Sequence, residues 1–309
     1  MMNVKINDYE NIIKEKDNII FELKEKIKKL ESKLNEKLTI EKDNNFDINS
    51  QKSFNTLNFH SNTVSCLAIL NDGRLVSGSL DNNIIIYNRE TYQPDIIIKE
   101  HKSPIYHITQ LSNGILASCS QDQTMILYNI NGNNYENFQT LNEHKEEVFK
   151  IIELKNKNLV SCSQDKSSIF YSKNKSKYKK DYKFSTYGGI RYLIQSKDNE
   201  ICFSSIYYDT KLRCDIRFYD FNKKKINSIL KPFNFNSYTF RTFNMITKDL
   251  LVAGGINKIY IINVNNYTLD REIEIINTSI FGFCMIDENI FITGDNNGTI
   301  IQWKIEEII

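Results

Sequence analysis

A histidine recurs at positions 60, 101 and 144, and each precedes an aspartate by 21 residues: Asp81, Asp122 and Asp165. The histidines lie 41 and 43 residues apart. Around them, HSNTVSCLAILNDGRLVSGSLDNNIIIYN (60–88), HKSPIYHITQLSNGILASCSQDQTMILYN (101–129) and HKEEVFKIIELKNKNLVSCSQDKSSIFYS (144–172) are copies of one unit. Such a period restricts a chain to arrays in which each unit buries its faces against its neighbours. Three weaker copies follow at 188–220, 239–264 and 279–305, the first with a longer loop in its second half. Residues 52–309 divide into six units of 43.

Within each unit, short runs of β-forming residues are separated by turn residues. The first turn falls at the same place every time: NDG (71–73), SNG (112–114), KNKN (155–158), KDN (197–199), TKD (247–249) and DEN (287–289). A fourth, edge-like run lies between units, as in DIIIK (95–99) and NFQTL (137–141). Four short antiparallel strands per 43 residues make one blade of a β-propeller.

Here the chain resembles the WD40 family, over residues 52–309. The matching residues are His60, Ser77 and Asp81; His101, Ser118 and Asp122; His144, Ser161 and Asp165. Tyr87, Tyr128 and Tyr171 stand where the family has a tryptophan, and Trp303 keeps the indole in the last unit. The resemblance implies that these nine residues form a structural hydrogen-bond network. It also implies an all-β, WD40-type propeller whose last blade is closed by a strand from the front of the domain. SFNTLNF (53–59) would then pair with TIIQWKI (299–305). Six units predict six blades. Seven is the family's commoner number, but 172–187 is too short for a further blade.

Residues 3–43 contain no glycine or proline. Ile6, Ile13, Ile20, Ile27 and Leu34 repeat every seven residues as a positions, and Leu23 and Leu30 are apolar d positions. That is an α-helical coiled-coil pattern sustained over five heptads. Isoleucine at a with leucine at d favours a parallel homodimer. Ile12 and Ile19 widen the stripe, which leaves a trimer, a heteromeric coiled coil or packing on the chain's own propeller open. The expected organisation is a coiled-coil helix over 1–43, a polar linker over 44–52 and the propeller over 53–309.

Composition narrows the function. Formal net charge is +2, so no global field points to nucleic acid, and no apolar run is long enough to span a membrane. The six cysteines form no CxxC pair, and they read as reduced, buried small hydrophobes of a cytoplasmic protein. There is no GxSxG, no HExxH and no glycine-rich phosphate loop. The reading is therefore a non-catalytic scaffold with no cofactor or metal, whose partners are other proteins. Carrying the family's upper rim across by alignment gives Ser65, Tyr106, Phe149, Arg191, Arg241 and Phe281, with Lys145, Glu146 and Glu147 beside it. Aromatic and arginine side chains on one ring have the composition of an interaction hot spot. The alternative is an RNA- or phosphoinositide-associated propeller using the basic loop KNKSKYKKDYK (173–183), with Tyr178 and Tyr182 interleaved.

Overall fold

The structure is a computed structural model and describes residues 57–208, 212–233, 242–285, 288–295 and 300–308. The heptad residues Ile6 to Leu34 and the linker lie outside the described residues.

The turn residues and small side chains explain the local architecture. Val64–Ile69 (β1), Leu75–Ser79 (β2), Ile84–Tyr87 (β3) and Pro94–Ile98 (β4) form an antiparallel sheet in sequence order. The second sheet holds Ile105–Gln110 (β5), Leu116–Ser120 (β6), Met125–Asn131 (β7) and Asn134–Leu141 (β8). The third holds Val148–Glu153 (β9), Leu159–Ser163 (β10), Ser167–Asn174 (β11) and Lys177–Ser185 (β12). In each, the first hairpin closes by the same bonds. Leu70, Leu111 and Leu154 are buried, and their carbonyls accept from the amides of Gly73, Gly114 and Lys157 at 2.8, 2.9 and 2.8 Å. All three donor residues sit at positive φ: 85°, 87° and 69°.

The fourth sheet holds Gly189–Lys197 (β13), Glu200–Tyr208 (β14), Leu212–Asp220 (β15) and Lys225–Phe233 (β16). The insertion expected here as a longer loop instead lengthens a hairpin. β14 and β15 stay paired from Glu200↔Asp220 to Tyr208↔Leu212. Thr242–Met245 (β17), Leu250–Gly254 (β18), Ile256–Asn263 (β19), Thr268–Met285 (β20), Ile290–Asp295 (β21) and Ile300–Lys304 (β22) follow in order. β20 is shared: its first part pairs with β19 and its end with β21. The earlier units break at this point for a histidine-bearing loop, whereas this one has none and the strand runs on. A one-turn helix, Ile305–Ile308, ends the described chain.

The sheets stack face to face. β1 lies against β5, β5 against β9, β9 against β13, and β13 against β17. The core is accordingly divided into layers, one between each successive pair of sheets. A second strand sandwiched this way is buried on both faces, which explains LVSGS, LASCS, LVSCS and LLVAG as runs of small and apolar residues. Gly78 shows how close the approach is. A Cβ there would lie 2.6 Å from Ile108 Cδ1 and 2.9 Å from Ile105 Cγ2.

This all-β series of antiparallel sheets is consistent with a WD40 propeller. Of the expected closing strand SFNTLNF, residues 53–56 lie outside the described residues and 57–59 form no strand. On the first sheet Leu67 and Ile69 are 63% and 72% exposed, whereas the corresponding strands β5 and β9 leave none of their residues exposed.

Candidate functional site: a face built from bulge residues

Three buried relays hold the turns that lead into β1, β5 and β9. His60 Nδ1 lies 2.9 Å from Asp81 Oδ2, and His60 Nε2 lies 2.7 Å from Ser77 Oγ. Ser77 Oγ in turn lies 2.9 Å from the Tyr87 hydroxyl. Donor counting sets the direction: Tyr87 donates to Ser77, Ser77 to Nε2, and Nδ1–H to the carboxylate. The second and third units repeat the histidine contacts. His101 reaches Asp122 at 2.8 Å and Ser118 at 2.7 Å; His144 reaches Asp165 at 3.0 Å and Ser161 at 2.7 Å. Each aspartate also accepts the amide after the histidine, from Ser61, Lys102 and Lys145. Burial alone would raise the Asp122 carboxyl, but bonds from His101, Thr124 and Lys102 outweigh it and hold the group well below the ordinary carboxylate range. Asp165 is held low in the same way, with Ser167 as a further donor. In the last unit Trp303 Nε1 donates to Thr293 Oγ1 at 2.9 Å.

Just past each relay the strand carries a β-bulge. Val64 pairs with Ser79 and Cys66 with Gly78, so Ser65 has no partner in the ladder. Tyr106 is skipped between Ile105 and His107, Phe149 between Val148 and Lys150, and Arg191 between Ile190 and Tyr192. A bulge residue leaves the alternation of its strand and is re-aimed. Four of the residues expected on the rim are thus bulge residues at the start of a first strand. The register of β20 also skips Phe281, between Ile280 and Gly282. The Phe281 side chain and Arg241 lie outside the described residues.

These re-aimed side chains meet. Ser65, Tyr106, Phe149 and Arg191, with Glu147 and Tyr192, line a cavity of about 230 Å³. The Tyr106 and Phe149 rings are 5.4 Å apart, tilted by 35°. Arg191 Cζ lies 4.8 Å from the centre of the Phe149 ring. Glu147 Oε1 accepts from Gln121 Nε2 at 2.7 Å, which ties the second sheet to the third. Burial, then the Glu147 charge, raise the Tyr106 phenol above its usual value. Ser65 Oγ is already engaged, donating to the carbonyls of Gly78 and Ile105. Lys145 and Glu146 are exposed beside the cavity without lining it.

The basic run 173–183 is not a loop. It spans the hairpin between β11 and β12, with Tyr178 paired to Lys173 and buried. Tyr182 stacks on Phe170 at 4.4 Å. Tyr178 packs between the second and third sheets and Tyr182 between the third and fourth, with Phe170 and Lys224 Nζ against its ring, so neither ring is free to stack on a base.

Other sequence expectations are placed as follows. Cys119, Cys162 and Cys202 are buried free thiols, Cys214 is buried too, and burial pushes the Cys162 thiol up to about 12. Among the described residues, no three His, Cys, Asp or Glu side chains group as a metal site, and no helix is long and apolar enough to cross a membrane. Sequence reasoning missed Glu147 as part of the lining and Tyr192 altogether; the bulge at Arg191, invisible in one sequence, is what brings its neighbour in.

The family model described as "WD domain, G-beta repeat" (WD40) matches residues 51–88. The chain contains a WD40 repeat. It is also 31% identical over 80 residues to an uncharacterized WD repeat-containing protein of Schizosaccharomyces pombe (strain 972 / ATCC 24843). That match covers 25% of this chain and 15% of the relative, so the chain spans a small part of that protein's length. The matched WD40 repeat includes the first relay, His60–Ser77–Asp81, and the first bulge residue, Ser65.

Proposed function

We propose that this chain is a non-catalytic protein-interaction scaffold of the cytoplasm, with a six-bladed WD40-type propeller over 53–309. WD40 repeats generally mediate protein–protein interaction, and WD40 repeat proteins are generally non-catalytic. The observation that carries the reading is the convergence of Ser65, Tyr106, Phe149 and Arg191, from four successive first strands, on one cavity. Aromatic and arginine groups re-aimed by bulges onto a shared surface supply contact area at low entropic cost. In this reading the heptads of 1–43 assemble copies of the chain or capture a partner helix. Joining two binding elements in one chain raises avidity without new contacts.

The test compares partners captured by the full chain, by residues 44–309, and by the full chain carrying Tyr106→Ala with Phe149→Ala. Partners identified by mass spectrometry are then rebound as purified proteins. Removal of 1–43 is expected to lose one set and the double substitution another. Partners indifferent to both changes would exclude the scaffold assignment.

A further inference from the structure

The lining of the cavity specifies a ligand chemistry, in an inference that rests on the interaction face just described. Arg191 is exposed, and among the described residues its guanidinium makes no hydrogen bond or ion pair. The group rests over the Phe149 ring at 4.8 Å, beside the cavity, with its N–H fork unspent among the described residues. The Tyr106 hydroxyl likewise has no hydrogen-bond partner among the described residues and borders the same cavity.

Glu147 decides the class of acid. It carries a negative charge in the cavity and is held there by Gln121. With one arginine and one glutamate the cavity is close to neutral, which suits a singly charged carboxylate better than a doubly charged phosphate, a group usually met by a cluster of arginines. A partner's lysine or arginine would instead meet Arg191 on the ring that Arg191 already covers. A chain's terminal carboxylate is usually captured by a cluster of backbone amides. This cavity offers side-chain donors: a guanidinium and a phenol.

We infer that the cavity takes the carboxylate side chain of an aspartate or glutamate within a partner's chain, with Arg191 as the bidentate donor and Tyr106 as the third. Glu147 lowers affinity and sharpens the preference for a singly charged, planar group.

The experiment uses the full chain on arrays of heptapeptides capped by acetyl and amide groups, randomised around a central Glu, Gln, Lys or phosphoserine. A parallel set ends in a free carboxylate. Central Glu is expected to retain at least about tenfold more protein than central Gln, the scale of one charge-assisted bidentate pair. Arg191→Gln is expected to bring the two within about twofold while leaving the melting temperature unchanged, because exposed side chains contribute little to stability. Glu147→Gln is expected to raise retention on Glu peptides. Preference for Lys or phosphoserine, dependence on the free terminus, or an acid preference that survives Arg191→Gln would overturn the inference. Capture that is lost with Tyr106→Ala but shows no acid preference would overturn this inference alone. No capture sensitive to Tyr106→Ala would overturn the interaction face as well.

Discussion

The hydroxyl of Tyr267 donates to Oε2 of Glu200 at 2.7 Å, although 67 positions separate them. Tyr267 sits in the turn between β19 and β20 at a φ of 61°, and its ring lies 4.8 Å from that of Phe218 in the neighbouring sheet. Glu200 is buried, and it also accepts from Ser196 Oγ at 3.0 Å and Asn227 Nδ2 at 2.7 Å. Lys197 Nζ donates to the Tyr267 hydroxyl at 3.2 Å and lies 4.4 Å above the ring. A buried carboxylate thus joins the fourth and fifth sheets, where the histidine relays are absent.

This junction has a measurable cost. Glu200→Ala leaves the Tyr267 hydroxyl and the Asn227 amide without their acceptor, and unfolding in urea is expected to show a loss of about 1–3 kcal/mol. Tyr267→Phe removes one bond and is expected to cost about 0.5–1.5 kcal/mol. A double-mutant cycle between Tyr267→Phe and Glu200→Gln that gave no coupling would show that the two sheets are not joined through this bond.

The relays of the first half carry a parallel expectation. Asp122→Ala strips the acceptor from His101 Nδ1 and from the Lys102 and Thr124 amides, and is expected to cost about 1–3 kcal/mol in the same assay. An unaltered melting curve would remove Asp122 from any structural role.

Legibility in the sequence follows the range of the interactions. The relays join residues 17 and 21 positions apart within one unit, and a repeated unit displays them three times. The Glu200–Tyr267 junction occurs once and has no internal copy to align. The same holds for the buried Asp215–Arg217 pair, joined at 2.9 and 2.8 Å in the fourth sheet, where the third unit has Ser167 and Ile169. The basic run 173–183 misled because its lysine content outweighed a weak alternation, with Tyr178, Tyr182 and Phe184 turned inward. Ser65, Tyr106, Phe149 and Arg191 were reachable as a set because alignment places them one after the first apolar position. That they are bulge residues is a property of backbone pairing and needed coordinates.

The first turn of the third unit offers a stabilising change. Lys157 adopts a φ of 69° where Gly73 and Gly114 adopt 85° and 87°, and its amide makes the same bond to a buried leucine's carbonyl. A side chain in this region carries about 1–2 kcal/mol of strain, while glycine costs about 0.4–1 kcal/mol in unfolded-state entropy. Lys157→Gly is therefore expected to raise stability by about 0.5–1 kcal/mol, read as a higher urea midpoint at unchanged slope. A lower midpoint would mean that the lysine side chain contributes more than its backbone costs.

His107 should make stability depend on pH in a window of its own. Its Nδ1 is buried and unbonded, and the residue pairs with Cys119 across β5 and β6. Burial, then the charge of Lys150, lower the imidazole to about 3. In the unfolded chain a histidine titrates near 6.5, so on acidification the unfolded state takes a proton that the folded state refuses. Full stability is present above about pH 6.5 and is lost as pH falls toward 3, by up to about 1.4 kcal/mol per pH unit. Asp122 and Asp165, whose carboxyls are held low, weaken the fold in the same direction, but only below about pH 5, where unfolded carboxyls begin to take protons. In the interval from about pH 5 to 6, the part of the slope that His107→Asn removes therefore reports His107, since the relay histidines are common to both chains. Urea midpoints across it are expected to fall with pH in the natural chain and to flatten in His107→Asn. Lys150→Met removes the neighbouring charge that lowers the imidazole, so the folded His107 takes its proton at a higher pH and the fall is expected to level off earlier, with a smaller total loss. A slope unchanged by His107→Asn would show that this imidazole is protonated in the folded chain.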